Sequence, residues 1–155
     1  MSTSTFDPHA RPLPLIVKSK KSSRISDLIS RKPPQSPSTT PIPYTPLKDG
    51  EIRLINLHPV EPSSPIILTT EIVSIASADY TALSYVWGDA SQTVSIHVDN
   101  HVFQATKNLY VALENIRLFL KPSSSKVIPL WVNAVSINQR DLAERSRQVS
   151  HMRQI

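Results

Sequence analysis

The stretch from Leu130 to Met152 constrains the fold of this 155-residue chain most, because one local pattern gives way to another within it. Val127 to Val135 is apolar apart from Asn133 and rich in β-branched residues. This composition predicts a strand that is buried on both faces of a sheet, in which Asn133 must find hydrogen-bond partners. A polar turn at residues 138–140 ends the strand.

A helix is predicted directly after this turn. Asp141 and Glu144 have the spacing of a capping box, in which the aspartate accepts a backbone N–H and the glutamate reaches back to the cap. We expect one face of the helix to pack on the sheet. The residues of this face recur at intervals of three and four: Leu142, Arg145, Val149, Met152 and Ile155. Arg147 and Arg153 would then face solvent. Strand, turn and helix together form half of a βαβ unit.

The first 48 residues differ in composition from the rest of the chain. Nine of the fourteen prolines precede Asp49, and residues 1–48 carry a net charge of +6, against −1 for the remainder. Large apolar side chains are too few there to offset the entropy of ordering. We therefore predict a disordered tail over residues 1–48 and a folded domain over residues 49–155. Within the tail, Lys18 to Arg24 is either a solvated charge run or a patch for nuclear import or for binding an anionic surface. Ile25 to Ile29 offers a short apolar turn that could dock on a partner or a membrane surface.

Composition also excludes several classes of protein. Because the positive charge lies in the tail, nucleic-acid binding is not expected of the nearly neutral domain. The chain has no cysteine, which excludes disulfides and cysteine-ligated metal. No apolar run reaches the ~20 residues that span a bilayer, and the N-terminus lacks the apolar core of a secretory signal. Walker A, G-x-G-x-x-G and G-x-S-x-G motifs are absent. We expect an intracellular, cytoplasmic protein.

Apolar periodicity predicts further elements between the tail and the last strand. They are a strand at residues 52–57, a strand at 66–75, a strand at 82–87, a hairpin over 94–103, and a helix that starts at an N-cap, Thr106, and ends at Pro122. The hairpin is expected to turn at Asn100 and His101. A left-handed backbone at His101 costs about 1 kcal/mol, which a longer loop would avoid. This order of elements predicts an α/β sheet with right-handed crossovers.

Three blocks resemble the fungal heterokaryon-incompatibility (HET) domain. The first runs Tyr80-Thr-Ala-Leu-Ser-Tyr-Val-Trp-Gly88 and includes Leu83, Ser84 and Tyr85, and the second is Thr106-Lys-Asn-Leu109 with Ala112-Leu113. In the third block the matching positions are Trp131, Ala134, Ile137, Asn138, Gln139, Asp141, Glu144, Arg145, Gln148, Val149 and Met152. Two positions depart from the pattern: Asn133 stands where the family has Asp, and Ser136 where it has Cys.

The resemblance implies a fold and a function. HET domains are regarded as distant relatives of the TIR domain, which implies a flavodoxin-like sheet with flanking helices, here with an added β-hairpin. The family implies a role in fungal non-self recognition and the programmed cell death that follows fusion of incompatible cells, carried out through protein partners in a signalling assembly. No cofactor is implied by this reading. The alternative is a truncated or degenerate copy of a TIR-like NAD-hydrolysing enzyme, for which NAD is the substrate.

The end of the chain bears on both readings. The catalytic glutamate of NAD-cleaving TIR relatives would lie beyond Ile155, so no catalytic residue is assigned. Since the chain stops inside the stripe of the last helix, with no glycine or asparagine cap after it, we expect a domain that is incomplete at its C-terminus.

Two loops form the candidate site, because ligands of open α/β sheets bind at the carboxyl ends of the strands. The residues concerned are Trp87, Gly88 and Asp89 after one strand, and Asn138, Gln139 and Asp141 after another. A purely structural reading competes, in which Trp87 and Trp131 are core, the amides satisfy turn backbone, and Asp141 with Glu144 caps a helix. His97 and His101 flank Asp99, but a metal site is not expected there, because a third ligand is missing.

Overall fold

The computed structural model describes residues 15–19, 41–59, 61, 63–120, 126–152 and 155. In chain order its elements are β1 (Leu15–Ser19), β2 (Glu51–Leu57), β3 (Ile67–Ser74), β4 (Thr81–Ser84), β5 (Thr93–Val98), β6 (His101–Thr106), α1 (Lys107–Arg117), β7 (Ile128–Trp131), α2 (Asn133–Ser136) and α3 (Leu142–His151). None of the helices in these ranges is long and apolar enough to cross a membrane.

The strands form one mixed sheet in the order β1-β4-β7-β2-β3-β5-β6. β4 pairs with β7 and β3 pairs with β5 in parallel, whereas the other neighbours are antiparallel. The predicted α/β class is confirmed. The connection from β4 to its parallel neighbour β7 contains the β5–β6 hairpin and α1, because parallel neighbours need a long crossover.

β2 lies near the middle of the sheet, and its residues from Ile52 to Leu57 are all buried. One apolar cluster on the sheet contains Ile55 and Leu57 together with the α1 stripe Leu109, Leu113 and Ile116. A second cluster contains Ile52 and Leu54 with Tyr80, Trp131 and Ile137. The predicted burial of Trp131 is confirmed, since Trp131 is 4% exposed.

The hairpin turn lies one residue earlier than predicted. Asp99 and Asn100 form a two-residue turn with φ values of 48° and 65°, and His101 is already the first residue of β6. Left-handed conformations at both central positions suit the twist of a tight hairpin, and Asp and Asn tolerate them best after glycine. The expected strain at His101 is therefore absent. Asp99 also accepts hydrogen bonds from the backbone N–H and hydroxyl of Thr70, which ties the turn to β3.

The predicted strand over residues 127–135 is wrong in its second half. β7 ends at Trp131, and Asn133 begins the helical turn α2 instead of interrupting a strand. The N–H groups of Val135 and Ser136 donate to the carbonyl of Val132, while the Val132 N–H donates to Ser136 Oγ at 3.0 Å. These local bonds satisfy the backbone without a sheet partner, although Val132 and Val135 are β-branched and buried.

The orientation of α3 is also corrected. Asp141 caps the helix as predicted, accepting from the N–H groups of Ala143 and Glu144. Glu144 does not reach back to the cap, and with Gln148 it forms the buried face of the helix, each being 1% exposed. The predicted core-facing stripe lies outward instead: its exposed members are Leu142, Arg145, Val149 and Met152.

Two segments of the predicted tail are among the residues that the structure describes. Residues 15–19 form β1, which pairs with β4, so this part of the tail belongs to the sheet. Residues 41–47 pack on the domain, with Leu47 buried and Ile42 against the main apolar cluster. We call residues 41–47 the strap. Residues 20–40, including the predicted apolar turn, lie outside the described residues.

Candidate functional site

A cleft of about 610 Å³ opens where β4 and β7 end. Thr81 lies beside Leu130 in the parallel pair, so the chain leaves both strands at the same edge of the sheet. The cleft is lined by Pro41, Ile42, Tyr44, Trp87, Val102, Phe103, Gln104, Thr106, Leu109, Ala134, Asn138, Gln139 and Arg140. Its volume and its mostly apolar lining with a few polar groups are typical of ligand sites.

Trp87 enters this cleft on a loop that Asn108 holds. The Asn108 side-chain amide donates to the carbonyl of Val86 at 3.0 Å. Gly88 has a φ of +76°, and a Cβ at this position would lie 2.7 Å from Asn108 Nδ2. Only glycine permits both this backbone and this approach. Trp87 is 45% exposed and its ring lies 6.1 Å from that of Tyr85, so it is not a core residue as the structural reading assumed.

Asp89 shapes the same loop without lining the cleft. Its carboxylate accepts from the backbone N–H of Ser91 at 2.9 Å and from the Ser91 hydroxyl at 2.7 Å. These bonds favour the ionised form and lower the pKa of Asp89. Of the first predicted loop, therefore, Trp87 alone lines the cleft, and Gly88 and Asp89 position it.

The second predicted loop contributes Asn138 and Gln139. Glu144 Oε1 accepts from the Asn138 N–H at 2.8 Å, and Asn138 Oδ1 accepts from the Arg140 N–H at 3.2 Å. Gln139 Nε2 donates to the carbonyl of Asn133 at 2.8 Å. Asp141 is occupied by capping and does not line the cleft. The structure thus brings Trp87 together with both predicted amides.

A buried ion pair holds the loop that contains Asn138 and Gln139. Arg53 Nη1 lies 2.9 Å from Glu144 Oε1, and the two side chains are 2% and 1% exposed. The same nitrogen donates to the carbonyl of Ser136, and Nη2 donates to that of Thr45 in the strap. Arg53 therefore joins α3, the α2 turn and the strap at one point. Glu144 anchors the cleft rim through Asn138, a role beyond the predicted capping.

The strap is attached by Tyr44. Its ring lies under the Arg53 guanidinium, 4.6 Å from centroid to Cζ, and its hydroxyl donates to the carbonyl of Val135 at 3.1 Å. Burial raises the pKa of Tyr44. Sequence reasoning missed Tyr44, Arg53 and Asn108. An arginine between the apolar residues Ile52 and Leu54, together with a glutamate on the last helix, was the available signal for the ion pair.

The remaining family-motif residues divide into buried and exposed groups. Tyr80, Leu83, Trp131 and Gln148 are buried, Tyr85 and Asn133 are half-buried, and Ser84, Arg145 and Met152 are exposed. Ser136, where the family has Cys, is fully buried and bonded to Val132. This hydroxyl holds the backbone of the α2 turn, so its place in the structure needs no thiol.

The hairpin histidines do not converge. His97 lies opposite Val102 in the β5–β6 pair, and His101 directly precedes Val102, so the two imidazoles project from opposite faces. Within the part of the chain that the structure describes, no group of three or more His, Asp or Glu residues is arranged to hold a metal ion.

Comparison with known proteins identifies the family. The model of the heterokaryon incompatibility protein (HET) family matches residues 80–155. The chain is 36% identical over 116 residues to heterokaryon incompatibility protein 6, OR allele, of Neurospora crassa, an alignment that covers 67% of this chain and 17% of the relative. The chain thus spans about a sixth of the length of that relative. No solved structure matches it. On the family match and this relative, the chain belongs to the HET family.

Proposed function

We propose that this protein acts in fungal heterokaryon incompatibility, recognising non-self and signalling for cell death through assembly with protein partners in the cytoplasm. Its membership of the HET family and its similarity to a Neurospora crassa incompatibility protein support this role. The proposal assigns the folded domain, residues 49–155 together with the strap, to partner recognition.

The cleft is the surface that we assign to partner recognition. The two motif loops converge on one cleft, which places the half-exposed Trp87 beside Asn138 and Gln139. No carboxylate is among the described residues that line it, and Glu144 is held by Arg53 and the Asn138 N–H. A large aromatic side chain with adjacent amides suits recognition of a partner, because such groups supply contact area and orienting hydrogen bonds.

A cellular assay tests this role. The chain would be expressed in a fungal host, and growth arrest and loss of viability would be compared for the wild type, Trp87→Ala and Val86→Ala. Val86 is 74% exposed and does not line the cleft, so its variant is a matched control. We expect arrest with the wild type and with Val86→Ala, and its loss with Trp87→Ala. Arrest that is equal in all three would contradict a role for the cleft, and the absence of arrest with the wild type would contradict signalling by this chain.

A second candidate function is hydrolysis of NAD by a TIR-like fold. The observation in its favour is the exposed indole of Trp87 in the same cleft as the guanidinium of Arg140, since aromatic faces stack on bases and arginine binds phosphate. Incubating the purified protein with NAD and measuring nicotinamide release tests it. Release that Trp87→Ala abolishes would support hydrolysis, whereas no release above the buffer control would leave recognition as the function.

A further inference from the structure

The cleft lies against the free edge of the sheet. Val102, Phe103 and Gln104 are consecutive residues of β6, and all three line it. Successive side chains of a strand point to opposite faces, so a cavity bounded by all three must extend around the edge of the strand. β6 is the last strand of the described sheet and pairs only with β5. The side of β6 that faces away from β5 forms the floor of the cleft.

The register of the hairpin identifies the backbone groups that face this floor. The two-residue turn makes Val98 and His101 the first hydrogen-bonded pair of the hairpin. Such pairs alternate with non-bonded ones along an antiparallel ladder, so the N–H and C=O groups of Val102 and Gln104 point away from β5. No other described segment hydrogen-bonds to these groups. Unpaired groups of this kind are a template for an added strand.

The walls of the cleft complement an extended peptide of a particular chemistry. Phe103 and Trp87 are apolar surfaces that flank the edge, as are Ile42 and Tyr44 of the strap. Among the described residues that line the cleft, Arg140 alone is charged. No described carboxylate lies within ion-pair distance of its guanidinium. An apolar groove with one uncompensated cation beside an open strand edge favours a ligand that supplies backbone amides, alternate apolar side chains and an acid.

We propose that the cleft takes an extended segment of a protein partner, which pairs with β6 as an additional strand. Its alternate apolar side chains lie against Trp87 and Phe103, and a carboxylate of the segment pairs with Arg140. In this mode of recognition the main-chain hydrogen bonds supply affinity and the side-chain contacts supply specificity. The inference rests on the proposed function for the kind of partner, and it adds the surface, the conformation and the chemistry of the segment.

The binding experiment uses the full purified chain and three acetylated, amidated pentapeptides: Thr-Val-Glu-Val-Thr, the same with Gln at the centre, and the same with Lys. Tryptophan emission reports binding, because Trp87 is 45% exposed in the cleft whereas Trp131 is 4% exposed. We expect the Glu peptide to bind most tightly and the Lys peptide most weakly. Arg140→Gln should remove the preference for Glu, and Arg145→Gln, which removes an exposed charge outside the cleft, should keep it.

Backbone methylation tests the strand pairing itself. Two isomers of the Glu peptide are compared, one N-methylated at both valines and one at the glutamate. Amide hydrogens of alternate residues point to the same side of a strand, so only one isomer should lose affinity, by about tenfold or more. Equal affinity of the two isomers would overturn the proposal, as would failure of all three pentapeptides to bind.

Two variants of the protein test the strand pairing by changing β6 instead of the peptide. Gln104→Pro removes the outward N–H at a position where an edge strand tolerates proline, and Gln104→Ala removes only the side chain. We expect about tenfold weaker peptide binding for the proline variant than for the alanine variant, with both folded by circular dichroism. Unchanged binding by a folded Gln104→Pro chain would refute pairing at this edge.

Three outcomes separate this inference from its alternatives and from the proposed function. If the wild type sediments as a dimer, Gln104→Pro as a monomer, and no peptide binds, the occupant is a second copy of the chain and the proposal is wrong. If peptides bind as expected and the cellular assay shows no arrest, the recognition mode stands and the signalling function fails. If arrest depends on Trp87 and the peptides do not bind, the function stands and the strand addition fails.

Discussion

Replacing Glu144 by glutamine should destabilise the fold, because it removes one partner of a buried ion pair. The carboxylate lies 2.9 Å from the guanidinium of Arg53, and neither side chain is more than 2% exposed. Glutamine has the same shape, and its carbonyl oxygen can still accept the N–H of Asn138. The substitution therefore removes one charge and little else, which leaves a buried cation without its counter-ion.

The size of the expected loss of stability depends on the contacts that Arg53 retains in the variant. Removing one partner of a buried ion pair costs about 3–5 kcal/mol, because the remaining charge is desolvated and uncompensated. Arg53 still donates to the carbonyls of Ser136 and Thr45 and lies over the ring of Tyr44. These contacts solvate the guanidinium in part, so we expect the lower end of the range, about 3 kcal/mol. A loss of this size is a large share of the ~5–15 kcal/mol of a typical domain.

Urea unfolding followed by circular dichroism measures the loss. The matched control is Glu114→Gln, because Glu114 pairs with Arg117 at 3.4 Å while remaining 32% exposed, and should cost less than about 1 kcal/mol. Arg53→Met combined with Glu144→Gln should cost less than the sum of the two single changes, since the double variant buries no unpaired charge. An unchanged urea midpoint for Glu144→Gln, or strict additivity in the double variant, would refute the reasoning.

Three further predictions concern stability and use the same unfolding assay. Trp131→Ala should cost about 3–5 kcal/mol, since its ring is 4% exposed, and a chain that melts like the wild type would contradict its place in the core. Gly88→Ala should destabilise the fold more than Gly50→Ala. Both glycines have a positive φ, which costs an alanine about 1 kcal/mol of backbone strain. A Cβ at Gly88 would also clash with Asn108, whereas a Cβ at Gly50 has no neighbour within 4 Å. Burial raises the pKa of Tyr85 to about 12, so the unfolded chain loses this proton first and stability should fall between pH 10 and pH 12. Tyr85→Phe should reduce this loss of stability by about 1 kcal/mol, which is less than the full pKa shift implies because the ring is only half-buried. An identical pH dependence of stability in the wild type and the variant would disprove the assignment to Tyr85.

Much of the fold was predictable because local rules decide it. β2 follows from apolar residues that recur between polar ones before Pro59, and β3 follows from a run rich in Ile, Leu, Thr and Val. Thr106 and Asp141 cap their helices as short polar side chains do. The candidate site was predictable to the same extent. Trp87, Asn138 and Gln139 meet because β4 and β7 are parallel neighbours, and the loops that follow such strands leave the sheet at one edge.

Other features depended on pairs of residues that are distant in the chain. The strap contains three prolines and no regular secondary structure, yet Tyr44 is held because β2 presents the guanidinium of Arg53 to its ring and α2 presents the carbonyl of Val135 to its hydroxyl. Asp99 and Asn100 could be recognised as turn residues, but the register that makes them the turn is set by the pairing of β5 with β6 and β3.

The sequence by itself determined the family, the α/β class, the helix caps and the two loops of the site, since each depends on residues that are close together in the chain. The tertiary structure alone decided which face of α3 is buried. Its apolar stripe predicted one orientation, but the buried Arg53 of β2, 91 residues away, requires the carboxylate of Glu144. An unpaired buried charge costs more than leaving Val149 and Met152 half-exposed, and so the polar face of α3 packs inward.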